Sequence, residues 1–300
     1  MAVRDGPQAE AVGGAFPPPI VLVLSGIVSI QFGAALAATL FDDAGASGVS
    51  VLRLGFAAVL MLVVVRPRVR GVDPGALRLV GAFGLCLGAM NLTFYEALDR
   101  IPLGVAVTLE FVGPLGVAVL TSRRRLDLVW AAIAAVGIVL LADLGGGGTD
   151  ALGVVLALVA GGFWGGYILL AQAAGRHFTG AQGVALAMVV AALVPLGPGI
   201  AQAGGDLLDA QLIVLGAGVA LLSSVIPYTL ETEALRRLPA NVFGVLMSLE
   251  PALAALAGLI VLGQDLGVRE LVAIGLVVAA SAGVSLTQPP PPEPVTAQGA

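Results

Sequence analysis

The chain has 300 residues, 58% of them hydrophobic and only 11% charged, with a mean hydropathy of +1.03. Soluble domains carry about 25% charged residues, so there is less than half the charge a water-facing surface needs, and a soluble fold is excluded. The formal net charge is −5, every basic residue is Arg, and the single cysteine, Cys86, excludes an intramolecular disulfide.

Residues 1–19 lack the basic stretch and small-residue cleavage site of a signal peptide and read as a disordered tail. Apolar segments then follow at 20–40, 49–65, 77–97, 101–121, 127–143, 151–172, 181–200, 211–232, 240–262 and 268–287. A hydrocarbon core of about 30 Å takes roughly 20 residues of helix, and each segment is near that length. Backbone groups in lipid must pair internally, and unalternating apolar runs do not make a barrel. The predicted fold is therefore an all-α polytopic membrane protein with ten transmembrane helices. Gly145-Gly146-Gly147-Gly148, within 145–150, has no Gly-Lys-Ser/Thr after it and reads as a linker. Residues 288–300 open on a proline-rich run that cannot be helical.

Placing the connections alternately on two sides separates the charges. One side receives Arg4, Arg66, Arg68, Arg70, Arg78, Arg123, Arg124, Arg125, Arg176, Arg236 and Arg237. The other receives Arg100 and Arg269 with Asp42, Asp43, Asp99, Asp143, Asp150, Asp206, Asp209, Asp265 and Glu270. Arginine excess marks the cytoplasm, which puts both termini there.

The chain also repeats itself. Glu96-Ala97-Leu98 through Pro102 to Leu109-Glu110 recurs as Glu233-Ala234-Leu235 through Pro239 to Leu249-Glu250, with offsets of 137 and 140, and Gly33 matches Gly165 at 132. Repeats 20–144 and 151–287 contain five spans each, so the second enters the membrane from the opposite face. Such inverted repeats belong to secondary transporters, whose sites lie near the midplane between the halves.

Each repeat buries one acid mid-span, Glu110 and Glu250, beside a proline element, Gly113-Pro114 and Pro251. A charge there costs at least about 2.5–3.5 kcal/mol on insertion scales and usually faces a cavity. Proline frees a backbone carbonyl that a cavity can use. These acids are the predicted substrate and proton pathway, two midplane acids with no midplane base; the bland alternative is a structural carboxyl. Asn91, Tyr95 and Glu96 crowd the end of the third span, and Tyr228, Glu231 and Glu233 that of the eighth. Glu231, one turn past Pro227, is the preferred candidate there, with Asn91 and Tyr228 beside it, while Tyr95 and Glu233 read as interface anchors. Arg53 is expected a few residues inside the outer face, either snorkelling to the interface or serving as a carboxylate clamp or a charge partner for an acid. Gly84-x-x-x-Gly88 and Gly161-x-x-x-Gly165 suit close helix packing within the chain. No nucleotide, metal, heme or Ser-His-Asp pattern is present, so neither cofactor nor metal is expected, nor a nucleic-acid partner.

These features resemble the EamA-type drug/metabolite transporters. Asn91-Leu92-Thr93-Phe94-Tyr95, Ile101 to Phe111, Gly113-Pro114-Leu115, Ser122-Arg123-Arg124 and Met247 to Ala255, with Ser29-Ile30-Gln31 and Ala46 to Val49, are similar to bacterial threonine/homoserine exporters. The resemblance implies a bacterial inner-membrane exporter of small amino acids or related metabolites, driven by protons, with a central cavity lined by helices one, three, four, six, eight and nine. Arg53 is on none of these, and Gly263-Gln264-Asp265 departs from the Gly-Glu common in relatives. Efflux of drugs or cations remains the alternative within the superfamily. A non-transporting scaffold or a membrane enzyme is the alternative from another class, and the lone His177 argues against an enzyme.

Overall fold

The computed structural model describes residues 17–121, 124–142, 150–238 and 240–287. Residues 143–149, with Asp143 and most of the linker, the tails 1–16 and 288–300, Ser122, Arg123 and Pro239 lie outside the described residues. Among the described residues every regular element is helical. The helices are α1 (Pro19–Ala38), α2 (Phe41–Val65), α3 (Pro74–Leu98), α4 (Leu103–Glu110), α5 (Val112–Thr121), α6 (Arg125–Ala142) and α7 (Ala151–Ala174). After these come α8 (Gln182–Leu193), α9 (Leu196–Ala203), α10 (Ala210–Ala220), α11 (Ile226–Leu235), α12 (Ala240–Met247), α13 (Glu250–Leu262) and α14 (Val268–Thr287).

Aspartates start several of them. Asp73 accepts from the Ala76 N–H, Asp150 from those of Leu152 and Gly153, and Asp209 from those of Gln211 and Leu212, which satisfies first-turn donors that have no partner within the helix. Among the described residues, eight helical stretches are long and apolar enough to cross a membrane, and α8 with the following segment to Leu208, bent by 45°, makes up to nine. The segment expected at 127–143 is the 18-residue helix α6, which packs along α14 but is not among those eight.

Besides the bend in the seventh, four expected spans are interrupted, three of them where a proline removes a donor. Pro114 has no N–H for the Glu110 carbonyl, and the fourth span breaks at Phe111 between α4 and α5. Pro251 does the same for Met247, separating α12 from α13. Ahead of Pro227 the eighth span widens into a π turn, Leu221–Val225, as such insertions do near functional sites. The fourth interruption is in the second span. It was expected from 49 but begins at Phe41, because Asp42 and Asp43 form a helical first turn instead of a loop. Gly45, at φ 67°, then turns the chain into the main helix, a conformation open to glycine at little cost.

Packing interleaves the two halves. α3 lies along α7 and α8, while α1 lies along α11 and α13. α2 lies along α8, α9 and α10, α7 along α4 and α5, α4 against α13 and α6 against α14. Glycines permit the tightest crossings. Gly84 and Gly88 meet the backbone of Ala187 and Ala191 on α8, and Gly161 and Gly165 meet α4 and α5.

One end of the bundle is sealed. The largest buried apolar cluster gathers the last turns of α1 and α3, the start of α2 and most of α4. Two glutamines from the second half tie it down. Gln202 Oε1 accepts from the Ser47 N–H at 2.9 Å, while Glu96 accepts from the Ser47 hydroxyl at 2.6 Å and from Gln202 Nε2 at 3.3 Å. Gln264 Oε1 accepts from the Leu103 N–H at 2.9 Å, satisfying the first turn of α4. Burial, then Glu96 and Asp42, push the Asp99 carboxyl above its usual range against the pull of Arg100, so these acids share this end. Gln264→Ala is expected to destabilise the protein by about 1–3 kcal/mol, since the Leu103 N–H then lacks a partner. A thermal-unfolding midpoint unchanged in detergent would refute that role.

Candidate functional site

A cavity of about 260 Å³ lies at the middle of the bundle, lined from α1, α2, α3, α4, α7, α8, the π turn, α11, α12 and α13. It gathers most of the residues singled out in the sequence. Asn91, Glu110, Pro227, Glu231 and Glu250 all line it. Gly113, Pro114 and Pro251 act from behind by breaking the helices that carry the acids. The side chain of Tyr228 lies outside the described residues.

The acids arrive by three routes. Glu110 is the last residue of α4 and is 8% exposed. Glu250 is the first residue of α13 and is 3% exposed, which sets its carboxyl at the positive end of that helix dipole. Glu231, on α11, lies over Gly26 of α1, where a Cβ would stand 3.4 Å from the Glu231 Cγ. Glu231 Oε1 is buried without a hydrogen-bond partner. The three carboxyls are near enough to interact electrostatically, and none forms an ion pair among the described residues. The carbonyl freed by Pro114 lies against a neighbouring helix. It faces Gly161 of α7, where a Cβ would stand 2.6 Å from it, so missing side-chain bulk rather than solvent accommodates it.

Arg53 corrects the sequence reading most. With α2 beginning at Phe41 it is a mid-helix residue, and its side chain lines the cavity instead of reaching for the interface. Its Nη1 donates to the Tyr95 hydroxyl at 3.1 Å, and its guanidinium carbon sits 5.2 Å from the Tyr95 ring centre. Its Nη2 donates at 3.5 Å to the carbonyl of Ser223, the group that Pro227 leaves without an α-helical donor. The neighbouring Leu222 carbonyl takes the Ser29 hydroxyl at 2.7 Å. A midplane base thus accompanies the midplane acids. Tyr95 is fully buried and is no interface anchor. Glu233 instead pairs with Arg236 and Arg237 at the bundle end, as an anchor would.

Sequence reasoning missed Gln31, Trp164, Tyr167, Ser223 and Ser224, all on the cavity wall. Trp164 stands edge-on to Phe111 at 5.4 Å, next to the break that presents Glu110. Asn91 donates to the Leu87 carbonyl at 2.9 Å, one helical turn back, which leaves its amide oxygen for the cavity. No cluster of three or more potential metal ligands occurs among the described residues.

The sequence profile of the EamA-like transporter family matches residues 151–286. The threonine/homoserine exporter RhtA of Escherichia coli (strain K12) is 45% identical over 272 residues, covering 90% of this chain and 92% of that protein. The exporter of the same name from Salmonella typhimurium (strain LT2) is 43% identical over the same coverage. The chain belongs to the EamA-like transporter family. Its relatives in the family are named exporters, not enzymes, and its apolar helices make it a multi-pass membrane protein. A crystal structure only 18% identical shares the fold, with a TM-score of 0.60 over 89% of this chain and 96% of that one.

Proposed function

We propose that this EamA family member exports small amino acids of the threonine/homoserine type from the cytoplasm, coupled to protons, by alternating exposure of the central cavity. The observation that carries the reading is the convergence of three unpaired carboxyls from both halves of the chain on one cavity. A substrate ammonium and a proton compete naturally for such a group. The exporter names of relatives 45% and 43% identical over nine-tenths of the chain supply the substrate class. The cavity supports a small solute over a drug, since about 260 Å³ falls below the roughly 300–1,000 Å³ of drug-sized sites.

The architecture in this reading is ten spans in two inverted five-helix repeats, 20–144 and 151–287. Two features support it. Contacts come in matched pairs, α3 with α7 as α11 with α1, and α5 with α7 as α13 with α1. The family profile begins and ends with the second repeat. The arginine bias places both termini in the cytoplasm of a bacterial inner membrane, so the sealed end with Asp99 and Gln264 faces outward and the substrate enters from within. Proton entry from outside then neutralises an acid, weakens its hold on the ammonium and favours release.

Cells loaded with labelled threonine or homoserine are expected to lose it several times faster when they express this chain. Equal efflux with and without it, alongside resistance to a broad drug panel, would favour drug or cation export instead.

A further inference from the structure

We infer that Arg53 is the carboxylate clamp of the transport site, making a free α-carboxylate a requirement for the substrate. The inference deepens the exporter reading above and rests on it.

A guanidinium offers five donors in a planar fork that fits a carboxylate with two parallel bonds. In the cavity two groups accept from it, the Tyr95 hydroxyl at 3.1 Å and the Ser223 carbonyl at 3.5 Å. Its Nε is buried with no partner at all. No carboxylate lies within ion-pair distance of Arg53 among the described residues, although Glu110 is close enough to feel its charge. Even a half-buried cation without an ion-pair partner is costly, and the helix breaks are placed to hold it there all the same. Pro227 frees the carbonyl that one arm uses, and Tyr95 is locked behind the other between Phe41 and Phe94, with ring centres at 5.6 and 6.1 Å. Tyr95 and Ser223 keep the fork aimed and take one N–H of each Nη, which leaves the second N–H of each for a ligand.

Opposite charges therefore line the same small cavity, Arg53 from the first half and Glu231 and Glu250 from the second. That is the complement of a zwitterion. An amine alone would satisfy the acids and leave Arg53 bare; a carboxylic acid alone would do the reverse. The acids decide that a cationic group binds, and Arg53 decides that the cation must carry a carboxylate. In this assignment the positive end of α13 serves Glu250 rather than the substrate. Tyr95 is a positioning residue that acts through Arg53.

The test uses the full chain purified into lipid nanodiscs, with binding followed by the fluorescence of Trp164 on the cavity wall. Threonine and homoserine are compared with threoninamide and with 3-amino-1-propanol, which lack the carboxylate. Wild type is expected to prefer threonine over threoninamide by on the order of 10–100-fold, the worth of hydrogen bonds between charged groups. Arg53→Gln is expected to erase that preference by weakening threonine alone, Arg53→Lys to restore part of it, and Tyr95→Phe to reduce it several-fold with the ring stack kept. Equal weakening of threonine and threoninamide in R53Q would mark a structural role and overturn the clamp. Recovery of threonine affinity in R53Q/E110Q would do the same, because Arg53 would then only balance Glu110. If R53Q does not fold, R53K and Y95F decide, and an unchanged threonine-to-threoninamide ratio in both overturns it. Wild type that binds neither threonine nor homoserine overturns the exporter reading and the clamp together, whereas wild type that binds acid and amide alike overturns the clamp only.

Discussion

Glu250→Gln is expected to lower proton-driven threonine uptake into everted membrane vesicles by tenfold or more, close to background, with the same amount of protein inserted. Glutamine keeps the size of the side chain and its hydrogen-bonding atoms but can neither carry a charge nor release a proton. The protein should not be weakened by the exchange, since an ionised carboxyl inside a span costs about 2.5–3.5 kcal/mol on insertion scales. What is lost is the group that trades ammonium for proton. Glu110→Gln should lose less, because the two acids stand in different fields. Glu110 has the Arg53 charge nearby, whereas the charged side chains near Glu250 are the acids Glu231 and Glu110, so a bound ammonium relieves more repulsion there. Efflux driven by a substrate gradient alone, without a proton gradient, should survive better than driven uptake in both variants. If uptake in both keeps its full dependence on the proton gradient, neither acid is the coupling site and the exchange mechanism fails.

The sequence made the acids legible because charge in an apolar run is conspicuous and costly. Glu110 and Glu250 needed no neighbours to be noticed, and the doubled Leu-Glu and proline elements placed both near mid-span. Glu231 followed from its distance to Pro227. The breaks at Phe111 and after Met247 were equally readable, since proline withdraws a donor wherever it stands in a helix. What could not be read was the point where α2 begins. Asp42 and Asp43 look like a loop, and only Gly45, turning at positive φ, lets them be the first turn of a longer helix. That shift carried Arg53 from the interface to the centre of the molecule and left the expectation of a site without a base mistaken. Tyr95 reads as an interface anchor for the same reason, because its partner Arg53 is expected near the interface. Gln202 and Gln264 were invisible in a different way. Each pairs with a residue more than 150 positions away, and no local pattern announces a side chain that satisfies a distant backbone N–H. The departure at Gly263-Gln264-Asp265 thus has a structural use, the N-terminus of α4.

Gly113→Ala and Gly161→Ala are expected to be among the damaging single-carbon additions to the bundle, and Gly162→Ala, next to Gly161, nearly silent. A Cβ on Gly113 would collide with the Gly161 carbonyl, and one on Gly161 would stand 2.6 Å from the Glu110 carbonyl. Neither obstacle is the end of a flexible side chain. Both belong to helix backbone, so the only relief is to move α4 and α5 away from α7. Overpacking usually costs about 1–3 kcal/mol when side chains can adjust, and a clash with backbone belongs at or above the upper figure. For a chain of this size about 3 kcal/mol corresponds to a fall of roughly 6–12 °C in the unfolding midpoint, read in detergent by loss of monodisperse protein on heating. A Cβ on Gly162 meets nothing within 4 Å, and alanine's better helix propensity, up to about 1 kcal/mol over glycine, leaves that variant neutral or slightly stabilised. Equal midpoints for G161A and G162A would disprove the close crossing. The crossing also fixes Glu110, whose freed carbonyl is seated against Gly161. Pushing the helices apart shifts that acid relative to Glu250 on α13, so transport should fall further in G161A than the loss of folded protein explains.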